Sequence, residues 1–221
     1  MEKLFQRLAP SCAMVLMKNP ATAAVEFLGS AFVVREDGYL FTAAEVVKDR
    51  EEVLISPAED ALGFQAASRE KLRCFAAAVV ARNPRHNLAL LKLTDAAALK
   101  LPPDLLGETE TLHPGAVIMY LGFPFGRHGS LALTARSGIL VAKVLSPEGV
   151  RQLIVEGSMY SGSAGGPVID VQRGRIVGVL TSQLALLPRE GDTERKLVLP
   201  IQTDMTLAAP IEAGLALLPA A

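Results

Sequence analysis

Apolar positions in this chain fall in short runs rich in β-branched and aromatic residues, and glycine, proline, asparagine or aspartate punctuates most gaps between them. That rhythm predicts strands joined by tight turns. Ala24 to Arg35 is one run, Glu36-Asp37-Gly38 turns the chain, and Tyr39 to Thr42 resumes, which makes a hairpin with an Asp-Gly signal. Further strands are predicted at Glu52 to Ile55, Arg73 to Arg82, Leu88 to Leu93, Ala116 to Leu121 and Gln152 to Glu156. Leu131 to Val144 reads as a long strand in which Gly138 marks a bulge or bend. Val168 to Val171 and Ile176 to Thr181 flank an Arg173-Gly174 turn, and Leu197 to Ile201 reads as a last strand. Leu101 to Pro114 is a polar connection, and Gly122 to Gly126 and Gly162 to Pro167 are loops. Helical signals sit only at the ends: Glu2 to Leu8, and Asp204 to Leu217 with Asp204 as N-cap, although Pro210 and Gly214 weaken the second. About a dozen strands with terminal helices fit a double β-barrel, and the same periodicity fits other all-β folds.

Composition narrows this picture. Of the 221 residues, 50% are hydrophobic and 20% charged, enough to bury a large core. Lys+Arg 22 against Asp+Glu 23 leaves a net charge of -1, with no basic stripe to attract nucleic acid or an anionic membrane. Cys12 and Cys74 are too few for a disulfide scaffold and read as free thiols, one disulfide being the alternative. No Cys/His cluster has metal-ligand spacing, and no cofactor motif is present, so neither metal nor cofactor is expected. Met1 to Leu8 lacks the organisation of a signal peptide, and Ala13 to Met17 is too short to span a bilayer. The chain as it stands is expected to be soluble and cytoplasmic.

Three distant segments carry a resemblance. Gly29-Ser30-Ala31-Phe32-Val33-Val34, continuing through Asp37-Gly38-Tyr39-Leu40-Phe41-Thr42-Ala43-Ala44-Glu45-Val46-Val47, resembles the stretch around the catalytic His of trypsin-like serine proteases of the HtrA/Deg type, where it ends Thr-Asn-Ala-His-Val-Val. Asn83-Pro84-Arg85-His86-Asn87-Leu88-Ala89-Leu90-Leu91-Lys92 is similar to the family's Asp-Pro-Arg-x-Asp-Leu-Ala-Leu-Leu-Lys, whose second Asp is catalytic. Gly162-Ser163-Ala164-Gly165-Gly166-Pro167-Val168 resembles Gly-Asn-Ser-Gly-Gly-Pro-Leu, whose Ser is the nucleophile. Gly122-Phe123-Pro124-Phe125-Gly126 is similar to the family's Gly-Asn-Pro-Phe-Gly loop.

The resemblance implies one all-β domain over residues 1–221, the double six-stranded β-barrel of the trypsin-like serine protease fold with short terminal helices. Its lobes are expected near residues 10–100 and 115–203, followed by a helix at 204–217; the family commonly carries a C-terminal PDZ domain, and none is expected within residues 1–221. It also implies that the catalytic His, Asp and Ser positions hold Glu45, Asn87 and Ala164. Acyl transfer of this kind needs a hydroxyl nucleophile, an imidazole base and a carboxylate to orient it. Alanine has no hydroxyl, a carboxylate of pKa about 4.3 is a poor base near neutrality, and asparagine cannot stabilise an imidazolium. The chain therefore reads as an inactive homologue, a pseudoprotease. If the fold is kept, Glu45 and Asn87 are expected within hydrogen-bonding reach across a partly buried cleft.

What remains is a frame. The backbone N–H groups of Gly162 and Ala164 match the family's oxyanion-hole donors. Ser158 matches the base of the specificity pocket, which suggests a neutral ligand side chain, and Leu180, Thr181, Ser182 and Gln183 match the substrate-lining strand. A peptide or protein segment is the expected partner, held by β-augmentation. A structural scaffold, monomeric or trimeric through the Leu4-Phe5 segment, is the second reading. A residual hydrolase using Glu45 with Ser161 or Ser163 is the third. Ser163 and His86 each adjoin a lost triad position and are not expected to converge, and His113 and His128 lie in loops.

Overall fold

The computed structural model describes residues 1–19, 21, 24–65, 72–94, 101–160, 162–186 and 201–220. After helix α1 (Glu2–Leu8), the first lobe is built from β1 (Cys12–Lys18), β2 (Val25–Arg35), β3 (Tyr39–Ala43), a one-turn helix α2 (Ala44–Val47), β4 (Glu52–Pro57), β5 (Phe75–Asn83) and β6 (Leu88–Leu93). The second comprises β7 (Val117–Gly122), β8 (Thr134–Leu145), β9 (Arg151–Glu156), β10 (Pro167–Asp170), β11 (Arg175–Leu186) and β12 (Ile201–Pro210), and helix α3 (Ile211–Leu215) follows. Each lobe is a closed antiparallel barrel, in the order β1-β2-β3-β6-β5-β4 and β10-β11-β12-β9-β8-β7. The double six-stranded barrel is therefore the observed fold. Closure leaves neither sheet with a free edge.

Alternation explains the strands. In β2 and β3, Phe32 and Phe41 face one another as Cα partners, with rings edge-to-face and centroids 6.0 Å apart. β1 is buried along Cys12 to Leu16, so a nearly continuous apolar run conceals its period. The hairpin turn is held by Asp37, which accepts from Arg35 at 2.8 and 2.9 Å and pairs with Lys92 at 3.1 Å. Both cysteines are free, Cys12 buried and Cys74 half-buried, and burial pushes the Cys12 thiol up to about 12.

Three expectations are corrected. The helix expected over 204–217 is strand as far as Pro210, and α3 occupies only Ile211–Leu215. Asp204 caps nothing; its carbonyl accepts from Gly157 N–H at 2.7 Å. Met205, Leu207 and Ala208 are good helix formers, but β9 offers one ladder to this segment and β11 another, and tertiary pairing overrides propensity. The second barrel thus extends to Pro210 rather than to residue 203. Gly138 is not a bulge: β7 and β8 stay in register through the Ile118–Gly138 pair, and the irregularity falls between Leu140 and Ala142. Gly138 serves close approach, since a Cβ there would meet Glu156 O at 2.6 Å. α2 lies between the strands predicted at Tyr39 to Thr42 and Glu52 to Ile55, although helical signals are expected only at the ends of the chain. The strand predicted to begin at Leu197 lies outside the described residues except at Ile201.

The two barrels are fastened by more than their linker. Gly107 N–H donates to Ile176 O at 2.8 Å, and Ile176 N–H to Leu105 O at 2.9 Å, so the connection lies along β11. Leu105, Thr109 and Leu112 are buried within this connection, which the sequence presents as polar. The Glu212 carboxylate of α3 accepts from Thr109 N–H at 2.6 Å and from the Thr109 hydroxyl at 3.0 and 3.1 Å. Gly214 lets α3 lie against the Phe41 ring, so the chain ends on the first barrel after completing the second.

Candidate functional site

β3 leads directly into α2, which puts Glu45 in the first turn of a helix whose N-cap, Ala43, has no side chain to offer its N–H groups. Asn87 supplies that cap from across the fold. Its carbonyl accepts from Ala44 N–H at 3.0 Å and its Oδ1 accepts from Glu45 N–H at 3.0 Å, satisfying two of the donors that a helix start leaves unpaired. Its Nδ2 donates to Glu45 Oε2 at 3.4 Å, the pairing expected from the sequence. Asn87 reaches this position in the left-handed region (φ 53, ψ 46), where asparagine is among the better tolerated residues. The 3-10 turn Pro84–His86 precedes it, and Asn83 Oδ1 accepts from His86 N–H at 3.1 Å. The cleft differs from expectation in one respect: Glu45 is exposed and Asn87 only half-buried.

The loop carrying Ala164 is set by its glycines and by Ser30. Gly165 has φ +88, and a Cβ there would overlap Ser30 O and the Thr42 hydroxyl and stand 3.0 Å from Ala43 N. The loop is thus wedged against the start of α2, which brings Ala164 to the same interlobe seam as Glu45 and Asn87. Ser30, buried on β2, holds it from below. Its N–H donates to Ala164 O at 2.9 Å, its hydroxyl donates to Gly162 O at 2.8 Å, and that hydroxyl accepts from Phe123 N–H at 3.0 Å. One side chain of the first barrel therefore ties two loops of the second. Sequence reasoning passed over it; the available signal is a serine inside the apolar run Gly29 to Val34.

Within the loop, Ser163 N–H donates to Tyr160 O at 2.9 Å, Gly165 N–H to Leu180 O at 2.8 Å and Gly166 N–H to Ser163 O at 3.0 Å. The N–H groups of Gly162 and Ala164 have no acceptor among the described residues. Ala164 itself is only 2% exposed, and its methyl group belongs to the buried cluster that includes Val46, Met159 and Leu180.

The remaining predicted positions separate. Leu180 is buried, with its carbonyl engaged by Gly165 and its N–H donating to Gly166 O at 2.8 Å, so it lines no open groove. Thr181 is also buried; its hydroxyl donates to Leu207 O at 3.0 Å, and a bulge leaves it without a ladder partner on β12. Ser182 and Gln183 are half-buried, and the Gln183 amide donates to Thr203 O at 2.6 Å. Ser158 is half-buried, and its carbonyl accepts from Arg136 Nη1 at 2.6 Å. Ser161 lies outside the described residues. The buried Nδ1 of His86 has no hydrogen-bond partner among the described residues, and its pKa lies below the usual histidine value because of burial and then Arg85. His113 and His128 are exposed. Among the described residues no group of three His, Cys, Asp or Glu is placed to hold a metal ion, and no helix is long and apolar enough to cross a membrane.

Comparison with known proteins accords with this geometry. The protease MamE of magnetosome formation in Paramagnetospirillum magneticum is 30% identical over 169 residues, covering 74% of this chain and 21% of that protein. A probable periplasmic serine endoprotease, DegP-like, of Pseudomonas putida is 30% identical over 155 residues, covering 69% of this chain and 28% of that protein. That protein's described compartment contrasts with the cytoplasmic expectation drawn from the sequence. The chain spans between 20% and 33% of the length of such relatives. Among solved structures, the HtrA-type protease AlgW with decapeptide superposes with a TM-score of 0.68 at 20% identity, covering 96% of this chain and 64% of that one. The profile of the trypsin-like peptidase domain matches residues 29–179, a span that holds Glu45, Asn87 and Ala164 together, and the chain belongs to that family.

Proposed function

We propose that this trypsin-like domain does not cleave peptides and acts instead as a binding or regulatory module, a pseudoprotease that holds a peptide or protein segment beside the loop of Ala164. The observation that carries the reading is the identity and surroundings of residue 164. A methyl group stands where the family's hydroxyl attacks, and it is 2% exposed in a cluster with Val46, Met159 and Leu180. Loss of the nucleophile alone costs on the order of a millionfold in a comparable enzyme. The two other positions are engaged with each other: Asn87 caps α2 and donates to Glu45, an arrangement that stabilises a helix start and moves no proton. Backbone N–H groups at Gly162 and Ala164 would by themselves leave roughly 10³–10⁴ over the uncatalysed rate.

Peptide binding is supported by the family's mode of docking extended segments along a strand and by the AlgW structures that contain a decapeptide or tripeptide. Leu180 and Thr181 contribute to such a site only by shaping it; Ser158, Ser182 and Gln183 retain exposure. The test is restoration. The natural protein is expected to leave casein intact and to gain thermal stability with a peptide ligand from a library. The combined variant Glu45→His, Asn87→Asp, Ala164→Ser is expected to cleave. Cleavage by the purified natural protein that disappears in Ser163→Ala overturns the reading.

A second reading, an oligomerising scaffold, is favoured by one observation. Met1, Glu2, Phe5, Met119, Arg136 and Ser137 line a cleft of about 320 Å³ between α1 and strands β7 and β8, and Met1 is well exposed. Light scattering distinguishes a monomer from a trimer.

A further inference from the structure

The turn that precedes the Ala164 loop carries a cluster with surplus hydrogen-bond donors. Arg136, half-buried on β8, spends one N–H on Ser158 O. Its guanidinium carbon lies 5.4 Å from the centroid of the Tyr160 ring and 5.9 Å from that of Tyr120. Tyr160 is 48% exposed and Phe125 43% exposed, and their rings sit 5.2 Å apart, so the cation is bordered by an aromatic ledge open to solvent. Tyr120 is 3% exposed, and its buried hydroxyl has no hydrogen-bond partner among the described residues. Hydroxyl and guanidinium converge on one place: a Cβ on Gly157, which has φ +106, would meet Tyr120 Oη and lie 4.0 Å from Arg136 Nη2.

The chemistry of these groups is one-sided. A guanidinium carries five N–H donors and no acceptor. Among the described residues no carboxylate forms an ion pair with Arg136. Burial first, and the nearby Glu156 carboxylate in addition, raise the Tyr120 pKa despite Arg136, so its hydroxyl stays protonated. Among the described residues, the one acceptor that Arg136 uses is the Ser158 carbonyl. A ligand that completes the cluster must bring acceptors and negative charge, and a carboxylate matches the open edge of a guanidinium with two parallel bonds.

We propose that Arg136, the Gly157–Ser158 turn and the Phe125–Tyr160 ledge form a carboxylate-selective subsite for the bound peptide, taking an acidic side chain or a C-terminal carboxylate. The inference rests on the peptide-binding reading above, and it replaces the neutral preference that Ser158 alone suggests. Arg136 is the specificity-determining group; the aromatic rings flank the ligand and limit water around the ion pair.

The test uses three heptapeptides on one alanine-valine scaffold, each labelled at its N-terminus with an uncharged boron-dipyrromethene dye: a C-terminal amide without ionisable groups, an amide with one internal glutamate, and a peptide whose one ionisable group is a free C-terminal carboxylate. Fluorescence anisotropy is expected to give at least one carboxylate-bearing peptide an affinity about tenfold above the neutral amide. The arm that gains identifies the source of the carboxylate. The gain is expected to vanish in Arg136→Gln and to persist in part in Arg136→Lys, which keeps the charge if the glutamine variant fails to fold. Equal binding of all three peptides to the natural protein overturns the subsite and leaves the peptide-binding reading standing. Binding of none overturns both. A lowered melting temperature in both variants with the carboxylate preference intact also overturns the subsite, reducing Arg136 to an anchor for the Ser158 backbone.

Discussion

The glycine loop at 162–166 and the Glu45–Asn87 pair flank the same seam but are held in different ways. The loop is buried and held through backbone: Ser30 and Leu180 engage its N–H and carbonyl groups, and Gly165 occupies a place where any side chain collides with Ser30 and Thr42. The pair is solvent-facing and held through side chains, with one bond as long as 3.4 Å. Buried backbone geometry tolerates almost no substitution, whereas an exposed contact can be rebuilt from different residues at little cost. That asymmetry makes the loop the more constrained part of the seam and the Glu45–Asn87 pair the more replaceable one.

The comparison breaks most sharply at Gly165. Gly165→Ala is expected to prevent folding or to cost more than about 4 kcal/mol, since it combines backbone overlap with a positive φ; circular dichroism melting and soluble yield measure this. Ser30→Ala removes the acceptor of Phe123 N–H and the donor to Gly162 O, and an expected cost of about 2–3 kcal/mol follows from leaving buried groups unpaired. A loss below about 0.5 kcal/mol in urea unfolding would show that the loop does not depend on the first barrel.

On the other side of the comparison, Asn87→Asp keeps the cap but replaces an N–H donor with a charge facing Glu45. It is expected to lose about 1 kcal/mol, and adding Glu45→Gln is expected to recover most of it, because the new amide then donates in the opposite direction. Glu45→Ala alone is expected to cost about 0.5 kcal/mol or less, as suits an exposed residue. The smallest effect calibrates this exposed class. Asp37, hydrogen-bonded first to Arg35 and then to Lys92, has its pKa lowered to about 2. A depressed carboxyl pKa contributes stability above the unfolded value of about 3.9, lost as pH falls through the folded value. Asp37→Asn is therefore expected to lower the melting temperature slightly near neutrality, where the contribution is fully present, and to flatten the acid limb between about pH 4 and pH 2, so that variant and natural protein converge at the acid end.

Much of this was legible beforehand. The Val25–Arg35 and Tyr39–Ala43 hairpin, the Leu88–Leu93 strand and the Arg173-Gly174 turn follow from alternation and turn residues, because local signals and tertiary environment agree there. β12 was not legible, since Met205, Leu207 and Ala208 favour a helix and only the flanking strands impose extension. Nor was the burial of Leu180 and Thr181, because a strand that matches a substrate-lining segment says nothing of which of its groups the protein itself consumes. Ser30 went unnoticed for the same reason: its partners lie 93 and 132 residues away.

What the sequence determined by itself is the inventory of reactive groups. No fold can give Ala164 a hydroxyl, Glu45 an imidazole or Asn87 a charge, because those are covalent properties of the side chains. What only the tertiary structure decided is how the remaining groups are spent. Folding brings Asn87 to the start of α2, encloses the methyl of Ala164, and leaves Arg136 beside Ser158 with donors unmatched, since hydrogen-bond satisfaction depends on distances in space that spacing along the chain does not encode.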